Sequence, residues 1–301
     1  MIKEQSIKVE NDKLKISDFK NCNQLSFLKI DFYSCSFDED ISQQFRQLIK
    51  KCSSLQKLKI KLHNYNSYFV DDFNSSNLAL CLSKINTLVT LQLNICNIDF
   101  FDEDFSSILI GLCKCENLET LKLTFDSCAI EANFMSSEFY KIKNLKYLVL
   151  NLGDNFIEDT GAQALGRELS KCQNLQTLKL QLLQNRIGYE GDINLAQQLA
   201  NCDKLITLKI QLSPQYQFEK KKDFPDTCTN FFRELSKSKN MKHLSVSYFY
   251  KGMILQDLIK GLRYLKNLYT IEFEFSLEKL DIIKVSLMKL KYLVNFDNII
   301  E

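Results

Sequence analysis

The sequence predicts an α/β solenoid: a stack of strand–helix units with a parallel sheet on the concave side and helices on the convex side. Two recurring patterns and one size argument predict it. The pattern L-x-x-L-x-L-x-L returns along the chain, and a ladder of apolar residues precedes each copy at a constant offset. The chain has 301 residues, above the ~250–300 at which a single core stops growing, and repeats escape that limit because each unit packs only on its neighbours.

The strand pattern is plain in Leu25-Ser26-Phe27-Leu28-Lys29-Ile30-Asp31-Phe32, Leu55-Gln56-Lys57-Leu58-Lys59-Ile60-Lys61-Leu62 and Leu118-Glu119-Thr120-Leu121-Lys122-Leu123-Thr124-Phe125. Further copies begin at Leu88, Leu145, Leu175, Leu205, Met241 and Leu268, with a degraded one at Leu293. Successive starts lie 30, 33, 30, 27, 30, 30, 36, 27 and 25 residues apart. Alternation of apolar and polar residues within each copy reads as a strand with one face buried.

Ten, six and three residues before each start stands an apolar trio, such as Phe45, Ile49, Cys52 or Leu165, Leu169, Cys172. Separations of four and three put a trio on one helical face, so each unit adds an amphipathic helix to its strand. Neither element can bury its apolar face alone. Eleven cysteines are present, an odd number, and Cys22, Cys52, Cys115, Cys172 and Cys202 occupy the last rung of the ladder, where other units have Ile85, Ile142 or Leu265. Exchange with aliphatics reads as core thiols in a reducing, intracellular compartment, and the expected location is the cytoplasm.

The run Asn155-Phe156-Ile157-Glu158-Asp159-Thr160-Gly161-Ala162-Gln163-Ala164-Leu165 resembles the N-x-I-x-D-x-G-A-x-A-L signature of leucine-rich repeats of the ribonuclease-inhibitor type, and Asn185-Arg186-Ile187-Gly188 repeats it more loosely. The resemblance implies a leucine-rich-repeat solenoid of about ten repeats, with a horseshoe shape and no catalytic centre of its own. Asn155 and Asn185 stand ten residues after the first leucine of their units, two later than is usual in the family. The shift implies a longer strand or bend and is similar to divergent protist members. High Lys, Asn, Ile, Leu and Phe usage likewise resembles that of an AT-rich genome such as a ciliate's.

One domain is expected over 1–301, with 1–19 as an N-terminal cap or partial repeat and 294–301 as a C-terminal cap. Both prolines, Pro214 and Pro225, fall in the longest interval, so 213–225 is expected to project as a loop. A tolerated insertion and a partner contact by Tyr216, Phe218 and Lys220 to Lys222 both fit it.

With 39 basic and 37 acidic side chains the net charge is +2, too small to favour nucleic acid or a membrane surface globally. No apolar run reaches the ~18 residues of a membrane span, and the N-terminus lacks a signal-peptide core. The two histidines, His63 and His243, lie several repeats apart, and no phosphate-cradling glycine motif occurs. Cys113, Cys115 and Cys128 lack the matched pairs of a zinc site and are read as core. Clusters Asp38-Glu39-Asp40, Asp71-Asp72 and Asp102-Glu103-Asp104 precede helix ladders and are read as helix N-terminal caps. No cofactor, metal or small-molecule substrate is implied.

What remains is a surface. The third, fifth and seventh strand positions face the concave solvent side and carry Phe27, Lys29, Lys59, Lys61, Lys122, Tyr147, Lys179 and Lys209. Lys29 beside Lys59 and Lys179 beside Lys209 are expected as like-charged neighbours. Two expectations follow: a scaffold or adaptor that holds the acidic or polar segment of a protein partner on this face, or a face whose lysines serve only solubility. The resemblance adds a regulator of an enzyme, since such repeats occur in nuclease inhibitors and in activators of small GTPases, or a subunit of a larger assembly.

Overall fold

The computed structural model describes residues 3–10, 14, 22–33, 37–63, 73–96, 98, 100–131, 139–212, 227–248 and 255–274. In chain order the strands are β1 (Lys3–Glu10), β2 (Leu25–Tyr33), β3 (Lys57–His63), β4 (Thr90–Cys96), β5 (Thr120–Asp126), β6 (Tyr147–Asn151), β7 (Thr177–Leu182), β8 (Thr207–Leu212), β9 (His243–Tyr248) and β10 (Thr270–Glu274). Interleaved with them are α1 (Glu39–Lys51), α2 (Ser75–Leu82), α3 (Asp102–Leu112), α4 (Asp159–Ser170), α5 (Tyr189–Ala200), α6 (Thr227–Leu235) and α7 (Leu255–Leu262). The strands form one parallel sheet in the order β1 to β10. This is a leucine-rich-repeat solenoid. Parallel neighbours need a crossover, and the helices supply it.

Nine strands fall on the repeat copies from Leu25 to Leu268. The tenth is β1, which pairs along its length with β2. The copy at Leu293, the segment 294–301 and the loop 213–225 lie outside the described residues. Between β5 and β6 the described element is a single 3₁₀ turn, Phe139–Lys141, and residues 132–138, with the first rung of that unit's ladder, Met135, lie outside the described residues. Phe139 and Ile142, two rungs of the ladder, are buried.

Leucines of the strands meet the helix trios in one continuous core. Phe45, Leu82, Ile108, Leu165 and Leu195 are fully buried there. Between strand ends and helices in the N-terminal half runs a chain of phenylalanine rings: Phe37 to Phe73 at 6.4 Å, Phe73 to Phe100 at 5.9 Å and Phe100 to Phe125 at 4.7 Å between centroids. Phe37 and Phe100 stand twelve residues after their units' first leucines, where later units place Ile130, Ile157 and Ile187, all buried.

Backbone bonds repeat from unit to unit and hold the register. The carbonyl of Gln56 accepts from the amides of both Val89 and Thr90, and the carbonyls of Val89, Glu119, Lys146, Gln176, Ile206 and Lys242 do the same for the unit that follows. At the turn before the strand, Asn117, Asn144 and Asn174 donate their side-chain amides to Asn86, Glu116 and Lys143 carbonyls of the preceding unit at 2.7, 2.7 and 2.8 Å.

After the strand, the buried Asn155 accepts at Oδ1 from the Ile130 amide (3.1 Å) and donates through Nδ2 to the carbonyls of Phe125 and Gly153 (2.8 Å each). Asn185 accepts from the Ile157 amide (3.0 Å) and donates to the Leu152 carbonyl (2.7 Å). The residue before each, Asp154 and Gln184, adopts φ of 50° and 56°, so the late asparagines mark a left-handed bend. Cys128 takes the same place one unit earlier, after Ser127 at φ 53°. Its thiol points at the carbonyls of Ile95 and Asp126, both 3.7 Å away, which accounts for it without a metal.

Helix ends bear out part of the capping expectation. Asp38 accepts from the Ile41 amide at 2.9 Å at the start of α1. Asp104 accepts from the Phe101 amide at 3.0 Å and from Ser75 Oγ of α2 at 2.6 Å, and Asp102 accepts from the Glu131 amide at 3.1 Å. Asp71 and Asp72 lie outside the described residues, and the α2 cap is Asn74, accepting from the Asn77 amide at 2.9 Å.

Two substitutions test this stacking. A methyl on Gly111 of α3 would sit 2.5 Å from the Ala79 carbonyl oxygen of α2, so Gly111→Ala lowers stability by about 1–3 kcal/mol, opposite to the helix-propensity gain expected at an open site. Asn155→Ala strands the buried Ile130 amide and costs at least about 2 kcal/mol. Urea denaturation followed by circular dichroism measures both; a midpoint at or above that of the parent chain contradicts either claim.

Candidate functional site

The concave face is built by register. In its central row Lys29, Lys59, Gln92, Lys122, Val149, Lys179 and Lys209 are successive partners across β2 to β8. The row continues through Ser245 to Glu272 in β9 and β10. On one side run Phe27, Lys57, Thr90, Thr120, Tyr147, Thr177 and Thr207. On the other run Asp31, Lys61, Asn94, Thr124, Asn151, Gln181 and Gln211. Strand alternation forces this arrangement: the intervening leucines are committed to the core.

Phe27, Lys29, Lys59, Lys61, Lys122, Tyr147, Lys179 and Lys209 all lie half-buried on this one face. Tyr216 and Phe218 lie outside the described residues. The expected neighbours are present: Lys29 pairs in register with Lys59, and Lys179 with Lys209.

The charges along the row do not all stand alike. Lys29 is neutralised by Asp31, its Nζ lying 2.9 Å from Oδ2, and that hydrogen bond and charge raise the lysine above its usual value. Asp31 is also buried, although its position faces the concave side. Lys59 is pushed below the usual lysine value, first by desolvation and then by Lys61, Lys29 and Lys122. Lys122 and Lys179 approach Tyr147 from neighbouring strands, their Nζ atoms 5.8 and 5.9 Å from the ring centroid. Two ammonium groups sharing one ring face a weak π attraction and no carboxylate among the described residues.

The flanking rows, at the third and seventh strand positions, add neutral polar groups. Threonines on one side offer hydroxyls. On the other, Gln181 donates to Gln211 at 2.6 Å and Gln92 to Asn94 at 3.4 Å, a belt of amides able to donate and accept.

Of the two histidines, His243 continues the row of Thr177 and Thr207 as the register partner of Thr207. His63 and His243 are in β3 and β9, six strand places apart or ~29 Å at ~4.8 Å per strand. His243 Nδ1 lies 2.8 Å from Thr270 Oγ1. A cleft of about 620 Å³ opens near the starts of α1, α2 and α3, lined by Asp38, Glu39, Asn74, Ser75, Asn77 and Asp104 among others; Asp38, Asn74 and Asp104 are engaged in the caps described above. Among the described residues no group of His, Cys, Asp and Glu is arranged to hold a metal ion, and no helix is long and apolar enough to cross a membrane.

No family model matches the sequence, and no curated protein matches it. Among solved structures, the chain is similar to a TLR13 chain in the crystal structure of a TLR13–ssRNA13 complex, at 15% identity and a TM-score of 0.42. The match covers 97% of this chain and spans 43% of that one.

None of the described cysteines is in a disulfide. Burial pushes the thiols of Cys52, Cys81, Cys115, Cys172 and Cys202 up to about 12. Native protein at pH 8 therefore leaves these five unlabelled by a maleimide, and denatured protein labels them. Between the ordinary thiol value near 9 and the raised one, the unfolded chain releases protons that the folded chain retains, so stability falls as pH rises above about 9. Urea midpoints at pH 8 and 10 measure it; an unchanged or rising midpoint contradicts the assignment.

Proposed function

We propose that the chain is a non-catalytic scaffold or adaptor that binds a protein partner on its concave face, through an acidic or polar segment. The observation that carries this reading is the lysine row, Lys59, Lys122, Lys179 and Lys209, fixed by register on a rigid sheet. Desolvation first and then the neighbouring lysines lower Lys59, so a bound anion offsets a cost that solubility alone does not require. Rigid presentation matters because binding then orders few protein side chains.

Tyr147 and Phe27 serve as aromatic anchors in the row beside the lysines. Tyr216 and Phe218 belong to the segment that follows Leu212, the last residue of β8, and are assigned to the same partner. The run from Asn155 to Leu165, with Asn155 and Asn185 bonded across units, supports a ribonuclease-inhibitor-type repeat in a divergent, ciliate-like member. The whole of 1–301 is read as one domain acting within a cytoplasmic assembly.

Replacing Lys59, Lys122, Lys179 and Lys209 together by Glu tests the face. In affinity capture from source cells followed by mass spectrometry, the parent chain retains a stoichiometric partner and the fourfold variant retains none. Equal capture by a variant with unchanged circular dichroism rules out a concave electrostatic site.

A further inference from the structure

We infer that the concave face takes an acidic peptide in the polyproline-II conformation, with a carboxylate at every third residue, lying across strands β3 to β7. This deepens the concave-face reading and rests on it. The geometry behind it is the spacing of the cations. Lys59, Lys122 and Lys179 stand in β3, β5 and β7, with Gln92 and Val149 at the same register between them. Every second strand carries an ammonium group, which places the three about 9.6 Å apart, at ~4.8 Å per strand.

A polyproline-II helix rises ~3.1 Å per residue and repeats every third, so one of its faces presents side chains every ~9.3 Å. A β-strand presents one face every ~6.8 Å, out of step with this row. An α-helix presents neighbours on one face at ~5–6 Å and falls out of step as well.

What lies between the lysines fits the same occupant. Tyr147 and Val149 are alternate residues of β6 facing the concave side, and they form an apolar seat between Lys122 and Lys179. A proline placed between two acidic residues rests there against the ring. A polyproline-II backbone has no internal hydrogen bonds, so its peptide groups need partners. The belt of Asn94, Asn151 and Gln181 offers amides of both polarities one row away. Single-stranded nucleic acid fits less well, because it stacks successive bases on several aromatic side chains and the central row carries lysines with Tyr147 as the aromatic beside them.

The test uses the full chain and three fluorescent probes at ~50 mM salt: (Glu-Pro-Pro)₄, a peptide of the same composition with its four glutamates contiguous, and a twelve-nucleotide single-stranded RNA. Anisotropy is expected to show the periodic peptide binding about tenfold more tightly than the contiguous one, with RNA weaker than both. K122E/K179E weakens the periodic peptide by about twentyfold, near the upper limit for two exposed ion pairs. K114E/K204E, carrying the same charge change away from the concave rows, leaves it unchanged. Equal affinity for the two peptides, preference for RNA, or retained binding by a folded K122E/K179E each overturns the inference. Loss of partner capture by the fourfold variant without periodic-peptide binding overturns this inference alone, whereas peptide binding beside undiminished capture overturns the concave-face function.

Discussion

A seven-residue strand and a helix of two to three turns, each apolar on one side, have nothing to bury against within a single unit, and lateral stacking of one unit on the next is the interaction on which the rest depends. It sets the repeat length near ~30 residues, because each unit must return its strand to the same place beside the last. It also explains the doubled acceptors at the strand starts, where one carbonyl takes two amides of the following unit. Once that register exists, the side chains facing solvent are ordered as strictly as those in the core. The lysine row follows from packing.

Stacking also explains where polar side chains were admitted to the interior. Asn155 and Asn185 are buried because a left-handed bend after the strand leaves amides and carbonyls that no helix or sheet satisfies, and an asparagine can serve both kinds. Cys128 fills the same place with a weaker donor. Two residues further on, Phe37 and Phe100 fill by ring packing the position that Ile130, Ile157 and Ile187 fill in later units. Buried thiols belong to the same logic: they substitute for aliphatic rungs, and their raised proton affinity keeps them neutral.

Electrostatics on the concave face shows what stacking costs. Parallel register places Lys29 beside Lys59 and Lys179 beside Lys209, and like charges across neighbouring strands are unfavourable. The chain answers locally at one end, where Asp31 neutralises Lys29. Over the middle strands Lys122 and Lys179 lie instead beside the Tyr147 ring. That contrast gives the face a direction, from a neutralised margin through a cationic middle to Glu272 of β10, and any ligand held by charge has to respect it.

Much of this was legible in the residues alone. Leucine spacing named nine of the ten strands, the trios named the helix faces, and the fifth-position count placed every lysine of the central row on one side, because alternation along a strand admits only two faces. The columns of Asn117, Asn144 and Asn174 and of Phe37, Phe100 and Ile130 were equally periodic and needed only a longer count. Tertiary structure alone decided two things. It paired Lys29 with Asp31, since side-chain reach within a strand is invisible to register. And it set Lys122 and Lys179 around one tyrosine, a meeting of residues 57 positions apart that only the lateral packing of β5, β6 and β7 brings about.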